Sequence, residues 1–175
     1  KVILEKKVAE RTEELNIEKL KVEEAHKDIK DSIHYAQRIQ KAILTPLEIL
    51  HEVYPDSFIL YQPKDIVSGD FYWILHSTQK LKRKDRLAFA AADCTGHGVP
   101  GAFMSMLNSS LLNQTAHDPN INTPAEALNF LNAELPKNLK SSEKGQSIKD
   151  GMDIAFCLVD LTTNILHFAG ANNPC

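Results

Sequence analysis

With 175 residues, 43% of them hydrophobic, the chain can build one ordinary domain plus an extension. Its net charge of -3 and pI near 6.2 exclude a general attraction to nucleic acid or anionic lipid. Cys94, Cys157 and Cys175 are odd in number and form no C-x-x-C, which argues against a disulfide framework or zinc cage and for a reducing compartment.

Residues 1–44 contain no Gly or Pro and are dense in alternating charge, so they read as one helix about 66 Å long. One seven-residue series is clean: Val8, Leu15, Val22, Ile29, Ala36 and Ile43. Its companion is mixed: Leu4, Arg11, Glu18, Ala25, Ser32 and Ile39. A single apolar seam with charged flanks predicts a parallel, dimeric coiled coil, with room for a stutter where the second seam fails. His34 on this helix raises the idea of a phosphoacceptor. No nucleotide-binding half follows it, and a surface or interface histidine is the plainer reading.

Pro46 ends the long helix or begins a short one. Pro55 and Pro63 bracket residues 57–61, which read as a strand, and residues 64–70 form a connection ending at Asp70. Phe71-Tyr72-Trp73-Ile74-Leu75 is aromatic and β-rich, a second strand. Residues 76–84 are polar, and residues 86–92 read as the next strand. Two consecutive strands with a polar connector predict an antiparallel hairpin. Its open end brings Asp70 and Asp93 side by side, with carboxyl groups expected within about 6 Å. Bare carboxylates that close need a proton or a cation between them. Hard oxygen ligands favour Mg2+ or Mn2+. Either aspartate alone is more simply a turn residue or cap; the coincidence of both is what points to a site.

Asp93-Cys94-Thr95-Gly96-His97-Gly98-Val99-Pro100-Gly101 then turns the chain into a helix, with Pro100 in its first turn. A glycine-rich turn before a helix N-terminus can hold a metal, an anion, or both. Gly96, Gly98 and Gly101 also match the dinucleotide fingerprint G-x-G-x-x-G. A Rossmann unit would continue to a parallel strand with an acid about 20 residues on. Here a loop and another helix follow, and Asp93 would repel a pyrophosphate. Thr123-Pro124-Ala125-Glu126 starts that helix as a capping box, Leu128, Leu131 and Leu135 mark its core face, and Pro136 limits its length. Residues 141–149 read as a polar loop. A second hairpin follows over residues 154–160 and 165–170; Asp150 and Asp153 precede its first strand and the loop from Ala171 to Pro174 follows its second, so these ends also meet. Capping aspartates explain that end at least as well as a site does.

Taken together, these segments resemble the bacterial PP2C-like phosphatases of the SpoIIE type. The matching pieces are Ser68-Gly69-Asp70-Phe71-Tyr72, Asp93-Cys94-Thr95-Gly96-His97-Gly98, Asp150-Gly151-Met152-Asp153 and Ala169-Gly170-Ala171-Asn172-Asn173-Pro174, in order along residues 56–175. Ser32-Ile33-His34-Tyr35-Ala36-Gln37-Arg38-Ile39-Gln40 looks like the linker that joins sensor domains to such phosphatases. The resemblance implies an α+β fold, a sandwich of antiparallel sheets flanked by helices. It divides the chain into a linker over residues 1–44 and the first part of the phosphatase domain over residues 45–175. It implies a two-metal centre, with Mn2+ or Mg2+, that hydrolyses phosphoserine or phosphothreonine. Asp70 and Asp93 would be metal ligands, joined by the backbone carbonyl of Cys94, where relatives often carry a smaller residue. The family's further metal aspartates fall downstream of this chain, so the polypeptide alone is expected to be an incomplete, inactive phosphatase.

On that reading His97 is the candidate proton donor, and Lys64 and Asp153 are candidate substrate contacts. Structural hydrogen bonding is the simpler role for His97, and a surface lysine the simpler one for Lys64. The expected partners are a phosphorylated regulatory protein as substrate, an upstream sensor in the same polypeptide, and a second copy paired through the helix. No apolar run reaches a membrane span and no signal peptide is visible, so the expected location is cytoplasmic, whether of a free protein or of a membrane-anchored sensor. The other function class is a non-catalytic signalling module built on the same fold. A pure coiled-coil assembly element does not fit the rich second half.

Overall fold

The computed structural model describes residues 2–77, 85–139 and 150–173. Helix α1 spans Val2–Ile43 and α2 spans Glu48–Val53. Strands β1 (Phe71–Ser77) and β2 (Arg86–Cys94) precede α3 (Gly98–His117) and α4 (Pro124–Asn138), and β3 (Met152–Asp160) and β4 (Ile165–Ala171) complete the order. The expected loop at residues 141–149 and the connector at residues 78–84 lie outside the described residues.

The strands form one antiparallel sheet in the order β1-β2-β3-β4. The helical pair α3–α4 is inserted between two neighbouring strands and packs over one face of the sheet. Period-two alternation chooses that face. Phe71, Trp73, Ala88, Ala90, Ala92, Ile154 and Phe156 are buried there against Leu111, Leu112, Ala127, Leu131 and Leu135. Trp73 stacks on Phe156 with ring centroids 5.8 Å apart, and its indole N–H donates to Asn113 at 2.7 Å. The indole thus contributes apolar area without an unmet donor. The architecture is α+β.

Helix α1 holds its charges in surface pairs such as Lys6–Glu10 and Lys19–Glu23, which add only a few tenths of a kcal/mol each. Val8, Leu15, Val22 and Ile29 are all exposed on this single chain. The one buried residue of α1 is polar, Gln40. At α4, Thr123 and Glu126 form the expected reciprocal cap.

Two expectations fail. Residues 57–61 form no strand, and Phe58 and Leu60 are exposed at 84% and 75%. A strand needs a ladder partner, and among the described residues none pairs with this segment. It runs instead over the second face of the sheet, beside Tyr72, Phe89 and Cys157. Pro136 does not stop α4, which runs on to Asn138. Proline there forfeits one N–H bond to Asn132, near the end of the helix, where little helix remains to be disrupted. Leu135 and Leu139 pack on the core, and the Asn138 amide donates to the Glu134 carbonyl at 2.9 Å, holding the last turn.

Candidate metal and phosphate site

The β1–β2 ladder ends with Phe71 opposite Ala92, so Asp70 and Asp93 stand opposite each other one step further on. Asp93 is also the register partner of Asp153 on β3. The three aspartates therefore line up across neighbouring chain segments at one end of the sheet. The side chains of Asp70 and Asp93 lie within hydrogen-bonding reach. The Asp93 carboxyl is pushed above the ordinary carboxylate range. Neighbouring protein takes away part of its water; Asp70 then adds a hydrogen bond and charge, and Asp153 adds charge. Asp153 is tethered by the Asn172 amide at 3.0 Å. Asn172 makes that reach from a left-handed backbone, φ 54°, a conformation asparagine tolerates better than most residues.

Close backbone packing fixes the turn beneath the pair. A Cβ at Gly69 would lie 2.7 Å from the Gly96 carbonyl oxygen and 2.9 Å from that of Cys94. The Cys94 N–H in turn donates to the Gly69 carbonyl at 3.4 Å. Gly96 has φ +91°, which a side chain would strain. On the other flank, Thr95 clasps Gly151. Its N–H donates to the Gly151 carbonyl at 3.0 Å, and the Gly151 N–H donates to its hydroxyl at 3.1 Å. The Cys94 thiol points into the core, where burial pushes its pKa up to about 12. The thiol is thereby turned away from the paired aspartates.

This donor set fits a hard cation. The groups that raise Asp93 are the protein around it and two acids, so a positive ion there relieves the repulsion. Carbonyl and carboxylate oxygens are the ligands Mg2+ and Mn2+ prefer. Among the described residues, however, no cluster of three or more His, Cys, Asp or Glu side chains is gathered tightly enough to enclose an ion.

His97 caps α3 with extended backbone, and its Nδ1 lies 3.0 Å from the Asp65 carboxylate. With that acceptor Nδ1 carries a proton, leaving Nε2 for a group approaching from solvent. A Cβ on Gly98 would sit 3.7 Å from the same Asp65 oxygen. An acid is thus already at the N-terminus of α3, where an anion would otherwise be drawn. Lys64 is exposed on the same loop, one residue before Asp65. A cleft lined by Tyr61, Gln62, Asp70, Asp93 and Asn173 opens beside the paired carboxylates. A second pocket, lined by Leu75, Arg86, Ala88 and Ile121, lies at the opposite end of β2 and presents no paired acids.

Sequence reasoning missed Asp65, Gln40 and the Thr95–Gly151 clasp. The partner of His97 lies 32 residues away, those of Gln40 lie 28 and 65 away, and that of Thr95 lies 56 away. No local pattern carries such pairings.

The chain matches the family described as Stage II sporulation protein E (SpoIIE) over residues 83–175. Among solved structures it is similar to the SiaA-PP2C domain of Pseudomonas aeruginosa, with 34% identity and a TM-score of 0.66. That similarity covers 84% of this chain but only 55% of the other. No curated protein sequence gives a significant match. Among the described residues, no helix is long and apolar enough to cross a membrane.

Proposed function

Because the chain belongs to the SpoIIE family and shares the PP2C-like phosphatase fold, we propose that it is the output domain of a signalling protein and hydrolyses phosphoserine or phosphothreonine on a regulatory protein. The observation that carries this reading is the facing pair Asp70 and Asp93 at the end of the sheet. These carboxylates, with the Cys94 carbonyl, would hold Mn2+ or Mg2+. Such ions would lower the pKa of a bound water so that it ionises to the attacking nucleophile, and would supply charge that offsets the phosphate's.

The chain's own residues do the rest. Lys64 holds a phosphate oxygen from its exposed loop. His97, its Nδ1–H held by Asp65, gives a proton from Nε2 to the departing serine oxygen when the ring enters the step carrying both protons, and it is left neutral. Asp153, tethered by Asn172, accepts a hydrogen bond from the substrate peptide. Asp65 matters because it fixes which nitrogen of His97 faces the substrate.

Two carboxylates and one carbonyl make one weak ion position, whereas two-metal hydrolysis needs two ions about 3.5–4 Å apart. The chain spans 55% of the similar solved domain. We therefore take the 175-residue chain by itself to be inactive, and a protein carrying the full length of such a domain to be active. The second reading, a non-catalytic signalling module, draws on the lack of a tight acidic cluster among the described residues. Residues 1–44 act as the linker, downstream of a sensor and on the cytoplasmic side. They pair in parallel with a second copy through the exposed Val8, Leu15, Val22 and Ile29. The test is hydrolysis of a phosphoserine peptide with Mn2+ by the full-length protein and its Asp93→Asn variant.

A further inference from the structure

Gln40 is the single buried residue of a 42-residue helix whose larger apolar side chains are mostly exposed. Its amide makes three hydrogen bonds. Nε2 donates to the Ser68 carbonyl at 2.6 Å and to the Ser105 hydroxyl at 2.8 Å, and Oε1 accepts from the Ser68 N–H at 3.1 Å. Gln40 thus treats Ser68 as a neighbouring strand would, meeting both its N–H and its carbonyl. Among side chains only an amide offers a donor and an acceptor at that spacing, and asparagine is a methylene shorter.

The grip passes on to the site. Ser68 Oγ accepts from the Asp70 N–H at 3.0 Å. Between them, Gly69 is wedged against the carbonyls of Cys94 and Gly96 with no room to move inward. The Ser105 hydroxyl, on α3, shares its hydrogen between the Ser68 carbonyl at 3.1 Å and the Ala102 carbonyl at 2.9 Å. One side chain therefore ties α1 and α3 to the short loop that delivers Asp70.

We propose that Gln40 is a positioning residue: through Ser68 it fixes the Asp70 backbone and thereby the direction of the Asp70 carboxylate. The proposal rests on the reading of Asp70 as a metal ligand. Groups bonded directly to a ligand typically change metal affinity by about 10–100-fold when lost; Gln40 acts one step further out, through Ser68, so the lower end of that range is expected.

The experiment compares the full-length protein with its Gln40→Met, Gln40→Glu and Asp70→Asn variants. Amide hydrogen exchange is followed at Ser68, Asp70, Leu111 and Leu112, and Mn2+ binding is followed by calorimetry. Methionine keeps the volume and removes all three hydrogen bonds. We expect faster exchange at Ser68 and Asp70, unchanged protection at Leu111 and Leu112, and Mn2+ affinity lower by about tenfold. Glutamate keeps the acceptor for the Ser68 N–H but faces the Ser68 carbonyl with an oxygen. It should protect Ser68 better than methionine does and still weaken Mn2+ binding. Wild-type exchange at Ser68 and Asp70 in the methionine variant would overturn the proposal. So would faster exchange spread equally over the core, or unchanged affinity beside an Asp70→Asn variant that has lost it. If the wild type itself binds no Mn2+, the metal reading of Asp70 falls, and exchange at Ser68 and Asp70 still decides whether Gln40 holds the loop.

Discussion

Replacing Gly69 with alanine tests the close packing beneath the paired aspartates. The added Cβ would lie 2.7 Å from the Gly96 carbonyl oxygen and 2.9 Å from that of Cys94. Ordinary contact begins at 3.4 Å, so the two carbonyls must retreat by about 0.7 and 0.5 Å, or Gly69 must lift away. Both are backbone atoms in a turn pinned by the Cys94 and Thr95 hydrogen bonds, so neither can swing aside as a side chain would. Overpacking of this kind costs about 1–3 kcal/mol. For a protein of this size that lowers the unfolding temperature by about 2–12 °C. The control is Gly151→Ala, where the new Cβ meets nothing within 4 Å. It should be neutral, or stabilising by about 0.4–1 kcal/mol through the unfolded chain. Thermal unfolding followed by circular dichroism separates the two. If Gly69→Ala unfolds within 1 °C of the wild type while the fold is retained, the packing argument is wrong (about 0.5 kcal/mol is the smallest loss such a shift resolves).

Two further perturbations probe the rest of the chain. The Glu126 carboxyl is held below its ordinary value by the N–H groups of Asn122 and Thr123 and by the Thr123 hydroxyl. Its charge therefore adds stability above the ordinary value of 4.5, and that stability is lost as pH falls through the lower folded value. Glu126→Gln should be the less stable protein at pH 7, and the gap should close below pH 4.5; a gap constant with pH would contradict the cap. Along α1, Leu15→Lys with Val22→Lys places charge in the exposed seam. Sedimentation should then show loss of the dimer at tens of micromolar, and a wild type that is itself monomeric would refute the pairing.

Much of this architecture is written in local pattern. Aromatic and apolar runs mark β1 and β2 as strands, and the two are close enough in sequence for a hairpin to be the simplest pairing. That pairing alone places Asp70 opposite Asp93. Thr123-Pro124-Ala125-Glu126 carries its helix start in four residues. The misses have a common cause. Residues 57–61 have the composition of a strand, but strands are made by partners, and composition does not name one. Pro136 is a poor helix residue, yet core contacts at Leu135 and Leu139 outweigh one lost hydrogen bond. Gln40 looks like one more polar residue on a charged helix until the loop at Ser68 is folded against it. His97 is prominent in the glycine-rich turn, but its partner Asp65 comes from another loop.

The most direct test of the central claim is the rate of phosphoserine-peptide hydrolysis with Mn2+, for the full-length protein against its Asp93→Asn variant. Asparagine keeps the size of the side chain and removes the charge that opposes Asp70 across the end of the sheet. The account predicts measurable turnover in the wild type and a loss of several orders of magnitude in the variant. His97→Ala should cost less, about 10²–10⁴-fold, as expected for proton donation. Equal rates for the wild type and Asp93→Asn would contradict the assignment of the site.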